Sequence, residues 1–259
     1  MSKGLTLICC IIVMAGCQSH DKGDLSTSII QSKHTIEYPV PLIKVFDKHG
    51  GLDQWHKMRA MNFEIVKEEG KEITYVDLKN RREMIEANNF TMGYDGTQHW
   101  AETDTSYKGN PVFYKNLMFY FFAMPFVLAD EGITYTKVDD LVFEGINYPG
   151  YKISYGAGIG ESPEDEYFMH YDEQNQMAWL GYTVTYFSKE KAAKISWIRY
   201  DDWAIINGLV LPKTLSWYQV ENNQPTELRN KREFVNVMVT EKPFDDQKFE
   251  KIESAEYVE

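Results

Sequence analysis

Cysteine is nearly missing from this chain: the three present, Cys9, Cys10 and Cys17, all lie within the first seventeen residues. The chain beyond Cys17 therefore holds no disulfide and no thiolate metal site. Positive charge is also scarce, with 27 Lys and Arg against 39 Asp and Glu and a formal net charge of -12. Nucleic-acid binding needs a basic face for phosphate contacts, so the balance argues against a nucleic-acid partner. Long apolar runs are lacking too. The two most apolar stretches, Leu5–Met14 and Leu117–Ala129, both fall short of the roughly twenty residues that span a bilayer as a helix.

Signatures of catalysis are equally thin. No serine sits in a G-x-S-x-G elbow, and the strand–helix alternation that carries one is missing. His20, His34, His49, His56, His99 and His170 form neither H-x-x-x-H nor H-E-x-x-H, so no zinc spacing is present. Gly156-Ala157-Gly158-Ile159-Gly160 places Glu161 where a dinucleotide loop needs its third glycine, and acids follow. It reads as a hairpin loop. The acid pairs Asp139-Asp140, Asp201-Asp202 and Asp245-Asp246 lack a calcium loop's alternation and read as solvated charge. No catalytic residue, metal or cofactor is assigned. A hydrolase assembled from Asp, His and Tyr on separate strands stays open as a lesser reading, centred on His99 or His170.

What the chain has in abundance is aromatic side chains, 14% of residues, and an export-type beginning. Lys3 gives a positive start, Leu5–Met14 an apolar core, and Met14-Ala15-Gly16-Cys17 resembles the lipobox of bacterial lipoproteins. That resemblance implies removal of residues 1–16 and acylation of Cys17, which fixes the chain to a membrane through lipid. The remaining charge is 26 minus 39, or -13, so lipid and not a basic patch makes the attachment. No Asp directly follows Cys17, which fits an outer-membrane address facing the periplasm or the cell surface. Residues 17–38 are polar and read as a tether to one domain over 39–259.

Within that domain, Val40, Ile43, Phe46 and then Leu52, Trp55 and Met58 recur at helical spacing around Gly50-Gly51. Two short helices hinged at the glycine pair are expected. Strand-like segments rich in Tyr, Thr, Val, Ile and Trp then follow: Met61–Glu69, Glu72–Asn80, Arg82–Ala87, Phe90–Tyr94 and Gln98–Thr103. Later ones are Thr134–Val138, Leu141–Phe143, Tyr151–Tyr155, Asp165–Tyr171, Met177–Phe187, Lys194–Trp203, Val210–Val220 and Leu228–Val239. Strands without intervening helices predict an antiparallel meander. Bulky groups on both faces of 177–187 and 194–200 suit a strongly curved sheet with a filled or ligand-holding concave side, or plain aromatic ladders. Leu117–Ala129 is apolar all round and broken near Met124 by Pro125, so it reads as a plug or lid across that side, or a core helix.

Three segments carry a resemblance to known proteins: Tyr94-Asp95-Gly96-Thr97-Gln98-His99-Trp100, Asn207-Gly208-Leu209-Val210-Leu211-Pro212 and the apolar helix. Together they resemble the LolA/LolB-like lipoprotein-carrier fold, an unclosed β-barrel with helices over its mouth. His49–Trp55, Asp77–Arg81 and Tyr120–Asp130 also resemble an uncharacterised family of bacterial outer-membrane lipoproteins. The resemblance implies a pocket for a hydrophobic ligand or acyl chain and no catalysis. Its expected lining is Phe119, Phe122, Met124 and Phe126 from the lid, with Trp100, Trp179, Trp197 and Trp217 from the strands. Arg81 and Arg82, beside Asp77, are expected to brace the barrel or hold an anionic headgroup. A permanently plugged cup acting as an adaptor for an envelope protein partner is the rival expectation.

Overall fold

The structure, a computed structural model, describes residues 37–68, 70–155, 165–185 and 194–259. Cys17, the signal-like stretch, most of the tether and the glycine-rich loop at 156–160 lie outside them. The described chain opens with α1 (Val40–Lys48) and α2 (Leu52–Lys57) and continues into β1 (Ala60–Lys67), β2 (Gly70–Asp77), β3 (Glu83–Ala87), β4 (Phe90–Tyr94) and β5 (His99–Thr103). A helical stretch comes next: α3 (Pro111–Tyr114), α4 (Leu117–Phe122) and a 3-10 turn at Phe126–Ala129. A second run of strands follows: β6 (Ile133–Phe143), β7 (Ile146–Tyr155), β8 (Glu166–Tyr171), β9 (Met177–Tyr182), β10 (Ser196–Ile206), β11 (Leu209–Glu221) and β12 (Gln224–Thr240). A 3-10 turn at Asp246–Phe249 and β13 (Glu256–Val258) complete it.

All thirteen strands join one antiparallel sheet, in the order β13-β5-β4-β3-β2-β1-β12-β11-β10-β9-β8-β7-β6. The order starts and ends on different strands, so the sheet is open and does not close as a barrel. Three of its hairpins turn through residue pairs with positive φ: Glu144-Gly145, Asn207-Gly208 and Asn222-Asn223. Such turns twist in the same sense as the strands they join. Since β5 and β6 lie near opposite edges, the chain between them must cross the sheet, and the helical stretch makes that crossing.

The N-terminal helices form as the spacing predicts. Prolines occupy the start of α1, where missing N–H groups cost nothing, and Leu42, Val45 and Phe46 bury one stripe. After His49 the chain needs Gly50 twice over. Its φ is +106°, and a Cβ there would stand 2.2 Å from the Gly208 carbonyl oxygen.

Other expectations shift. The segments predicted at 134–138 and 141–143 are one strand, β6, with a bulge between Val138 and Leu141. The strand predicted to Phe187 ends at Tyr182, because the Thr185 N–H and hydroxyl turn to the Asp165 carboxylate at 2.7 and 2.8 Å. α3 and β13 were not expected: the first is a single turn opened by Asn110 and Pro111, the second three residues on an edge.

Curvature is measurable. The rings of Phe143 on β6 and Tyr218 on β11 are 5.4 Å apart although five strand steps separate them. A flat sheet would hold them about 24 Å apart. The sheet thus rolls at this end towards the face without helices. The opposite face carries the main core, in which Ile153, Met169, Leu180, Ile198 and Leu215 meet the helical crossing.

The helix-covered face as candidate functional site

Across the main core runs the segment the sequence marks as a lid. Phe119, Phe122, Ala123, Phe126 and Val127 are fully buried. Phe122 packs on Phe63 and Phe234, with centroids 4.7 and 4.6 Å away, and Phe126 stacks on Trp55 at 4.9 Å. Phe121 meets Tyr182 at 4.9 Å and Trp217 at 6.0 Å. Pro125 follows a cis peptide bond after Met124 and starts the 3-10 turn, so the break falls where proline predicts it.

Helices this short leave most terminal carbonyls without an internal partner, a cost the surrounding apolar core would magnify. Tyrosines meet it from outside the segment. The Tyr200 hydroxyl donates to the Phe121 carbonyl at 2.8 Å, Tyr135 to Leu128 at 2.7 Å and Tyr38 to Ala129 at 2.9 Å. Burial raises the pKa of each phenol, which keeps the donors protonated.

Charged groups hold the two ends. At the start, the Asn116 N–H donates to the Glu83 carboxylate at 2.6 Å, and the Tyr114 hydroxyl donates to Glu72 at 2.8 Å. Glu72 also takes an ion pair from Lys67. Both glutamates are buried on the helix side, Glu72 on the same side of β2 as Thr74 and Val76. At the other end, Arg81 Nη2 reaches both Asp130 oxygens at 2.8 Å, and its guanidinium lies 5.1 Å from the Phe119 ring centroid. Burial pulls the Asp130 carboxyl above its usual range, against the opposing pull of Arg81.

Arg82 braces a different place. It donates to Asp77 from Nε at 3.1 Å and from Nη2 at 2.7 Å, and to Asp246 at 2.6 Å. Burial pushes Asp77 up, but bonds from Arg82, Lys79 and Asn80 outweigh it and hold the carboxyl low.

His49 explains why His-Gly-Gly stands at the end of α1. It is fully buried, and both ring nitrogens are engaged: Nδ1–H with the Val210 carbonyl at 2.9 Å, and Nε2 accepting from the Met177 N–H at 3.1 Å. This neutral tautomer rivets the helix to β9 and β11. Burial lowers its pKa to about 4. His170, one of the two histidines of the lesser hydrolase reading, is buried on the opposite face with Nδ1 on the Tyr148 carbonyl at 2.8 Å. His99 rests against Tyr94, with centroids 4.9 Å apart, on another strand.

The eight residues expected to line a pocket separate into groups. Phe119, Phe122, Met124, Phe126 and Trp217 share the main core. They pack together on the helix-covered face. Trp179 and Trp197 are on the other face, with Leu141 and Tyr148. Their strand neighbours Leu180 and Ile198 take the helix side, because successive side chains alternate. Trp100 likewise faces away, sealed by Phe249 and Ala255.

Cross-strand glycines make room for the rings on that face. Trp100 lies opposite Gly93, Trp197 opposite Gly181 and His170 opposite Gly150, each ring lying where a glycine Cβ would be. The sequence reading missed Glu72, Glu83 and Tyr114. A glutamate at the head of the inward row Glu72, Thr74, Val76 was the available signal for the first.

No protein-family model and no curated protein matches this chain. Among solved structures it is similar to a DUF1329 family protein from Desulfovibrio piger, at 11% identity and a TM-score of 0.48, over 81% of this chain and 97% of that one. It is also similar to a LolA superfamily protein from Nitrosomonas europaea, at 8% identity and a TM-score of 0.48, over 80% of this chain and 96% of that one. An open antiparallel sheet with helices on one face is the architecture that the sequence resemblance implied, and it rests on the strand order itself.

Proposed function

We propose that this chain is an envelope lipoprotein, held at the outer membrane by an acylated Cys17, that takes a hydrophobic or acylated ligand on its helix-covered face without catalysis. The observation behind this reading is how the apolar segment is attached. Leu117–Ala129 belongs to no strand ladder and is tied by three tyrosine hydroxyls and by charged contacts at its ends. Swinging it aside breaks few hydrogen bonds and uncovers the apolar sheet face beneath it. An acyl chain would replace its burial at about 25 cal/mol per Å². Access to the ligand thus depends on opening of the segment.

A specific observation favours the rival reading as well. The unbroken burial of Phe121–Ala129 suits a permanently shut plug, with the domain acting as an adaptor for an envelope protein. Native mass spectrometry of residues 36–259, before and after organic extraction, separates the two. An excess mass that extraction removes and that returns with fatty acid or phospholipid supports the carrier. A bare mass, with no uptake from lipid vesicles, overturns it in favour of the adaptor. Radiolabelled palmitate incorporation, lost in Cys17→Ser, tests the anchor separately.

A further inference from the structure

On the face opposite the helices, one row of the sheet presents polar groups that the fold leaves without partners. Arg199 on β10 is in register with Trp179 on β9 and with Ser216 on β11. Directly opposed residues share a face, so the three side chains stand in line across three strands. Trp179 is 0% exposed and Ser216 1%. The Trp179 indole N–H, the Ser216 hydroxyl and Arg199 Nη1 are each buried with no hydrogen-bond partner. Asp201 pairs with Arg199 only at Nε and at 3.9 Å, too long for a hydrogen bond.

Aromatic rings hold the guanidinium in place. The Tyr148 and Trp179 centroids each lie 5.0 Å from its central carbon, a flanking that fixes a planar cation and limits its freedom to seek other partners. Buried polar groups in folded proteins are almost always bonded, so three in one row call for an explanation. All three can donate and one is a fixed cation. The chemical complement is an oxygen atom carrying negative charge.

We propose that this row binds a single oxyanion group, a carboxylate or a phosphate, admitted beneath the β6–β7 hairpin. That hairpin ends the sheet, so β6 is paired on one side alone. It covers the row through Phe143, which packs on Trp179 at 4.8 Å. The Arg199 side chain keeps 20% of its surface exposed, which marks the way in. Asp201 at the rim opposes free anions, so the expected affinity for a small ion is weak. The site lies on the opposite face from the proposed ligand face and does not depend on that reading.

The test is nuclear magnetic resonance of the indole N–H groups in the full chain, purified in detergent, with the Trp179 signal assigned by Trp179→Phe. Inorganic phosphate and acetate are titrated in separate arms against chloride at matched ionic strength. Among the six tryptophans, Trp179 is expected to shift saturably with one or both oxyanions and not with chloride. The arm that saturates at lower concentration names the group. Arg199→Gln should abolish the shift. Ser216→Ala, a smaller change that keeps the fold, should weaken the apparent affinity by about tenfold. A Trp179 signal that moves with neither oxyanion, or moves equally in Ser216→Ala and Arg199→Gln, overturns the proposal and makes the row a hydrated structural element.

Discussion

Trp217 and Trp179 stand on strands of the same sheet, both largely sealed from solvent, yet different things seal them. Trp217 faces the crossing segment and meets Phe121, a residue from another layer of the fold. Among the described residues, no second layer lies above Trp179. It is covered by Phe143 and Tyr218 because the sheet rolls over on that side. One face therefore hides its aromatics with a separable element, and the other with its own curvature. That difference is why the helix-covered face is the better candidate for a ligand: only there can apolar surface be uncovered without unrolling the sheet.

The largest expected effect tests the covered face directly. Phe122→Ala removes a fully buried ring lying between Phe63 and Phe234 and should cost about 3–5 kcal/mol in denaturant unfolding. Phe143→Ala on the rolled face removes a partly buried ring and should cost less. Equal losses would mean that the two faces are packed alike and would remove the basis for preferring one.

Next in size is the response to acid. His49 is neutral when folded and titrates at about 4, against 6.5 for the ordinary group. Above pH 6.5 both states are neutral and the stabilisation is complete. As pH falls from there, the unfolded chain takes up a proton that the folded chain refuses, until the folded group titrates too. The gap of about 2.5 units, at 1.36 kcal/mol each, makes a loss of about 3 kcal/mol between pH 6.5 and 4. His170 shifts in the same direction, so it adds to the slope. Urea midpoints at pH 7 and 4.5 for the parent and His49→Gln check this; a slope unchanged by the substitution would discard it.

How far the sequence speaks for each face also differs. The helix pair around Gly50-Gly51, the kink at Pro125 and the meander were legible because each follows from local chemistry. Proline breaks helices, glycine takes positive φ, and alternation marks strands. The side on which Trp100, Trp179 and Trp197 lie was not legible, because strands with bulky groups at both parities give no favoured face. The decisive partners are Gly93 and Gly181, on neighbouring strands, and only the pairing register reveals them. Glu83 was hidden for a related reason: its donor, the Asn116 N–H, is 33 residues away in the chain.

Those glycines give the third effect. An alanine Cβ at Gly93 would stand 2.5 Å from the Trp100 ring and 2.7 Å from the Glu83 carbonyl oxygen, and the backbone atom cannot yield. Gly93→Ala should therefore cost about 1–3 kcal/mol, the ordinary range for overpacking. At Gly181 the nearest atoms are side-chain carbons of Trp197 at 2.9 Å, so Gly181→Ala should cost less. Thermal melts of both variants settle the order. The reverse order would show that the Trp197 ring is held more rigidly than its surroundings suggest.

The smallest global effect belongs to the latch between Arg81 and Asp130, and it bears most closely on function. Their side chains are 23% and 35% exposed, so water screens the pair and the net coupling should be about 1 kcal/mol or less in a double-mutant cycle with Arg81→Gln and Asp130→Asn. Its position matters more than its strength. Arg81 sits in the β2–β3 turn at φ +56° and ties the end of the crossing segment to that turn, with the rings of Phe119 and Tyr120 beside its guanidinium. Loosening a tie of this kind raises local opening without unfolding the sheet. In Arg81→Gln the amides of Leu117–Phe122 should exchange faster with solvent, while those of β9, under the rolled face, keep their protection. Faster exchange on both faces would mean that the segment and the sheet open as one unit, and the covered face would then lose its claim to be separable.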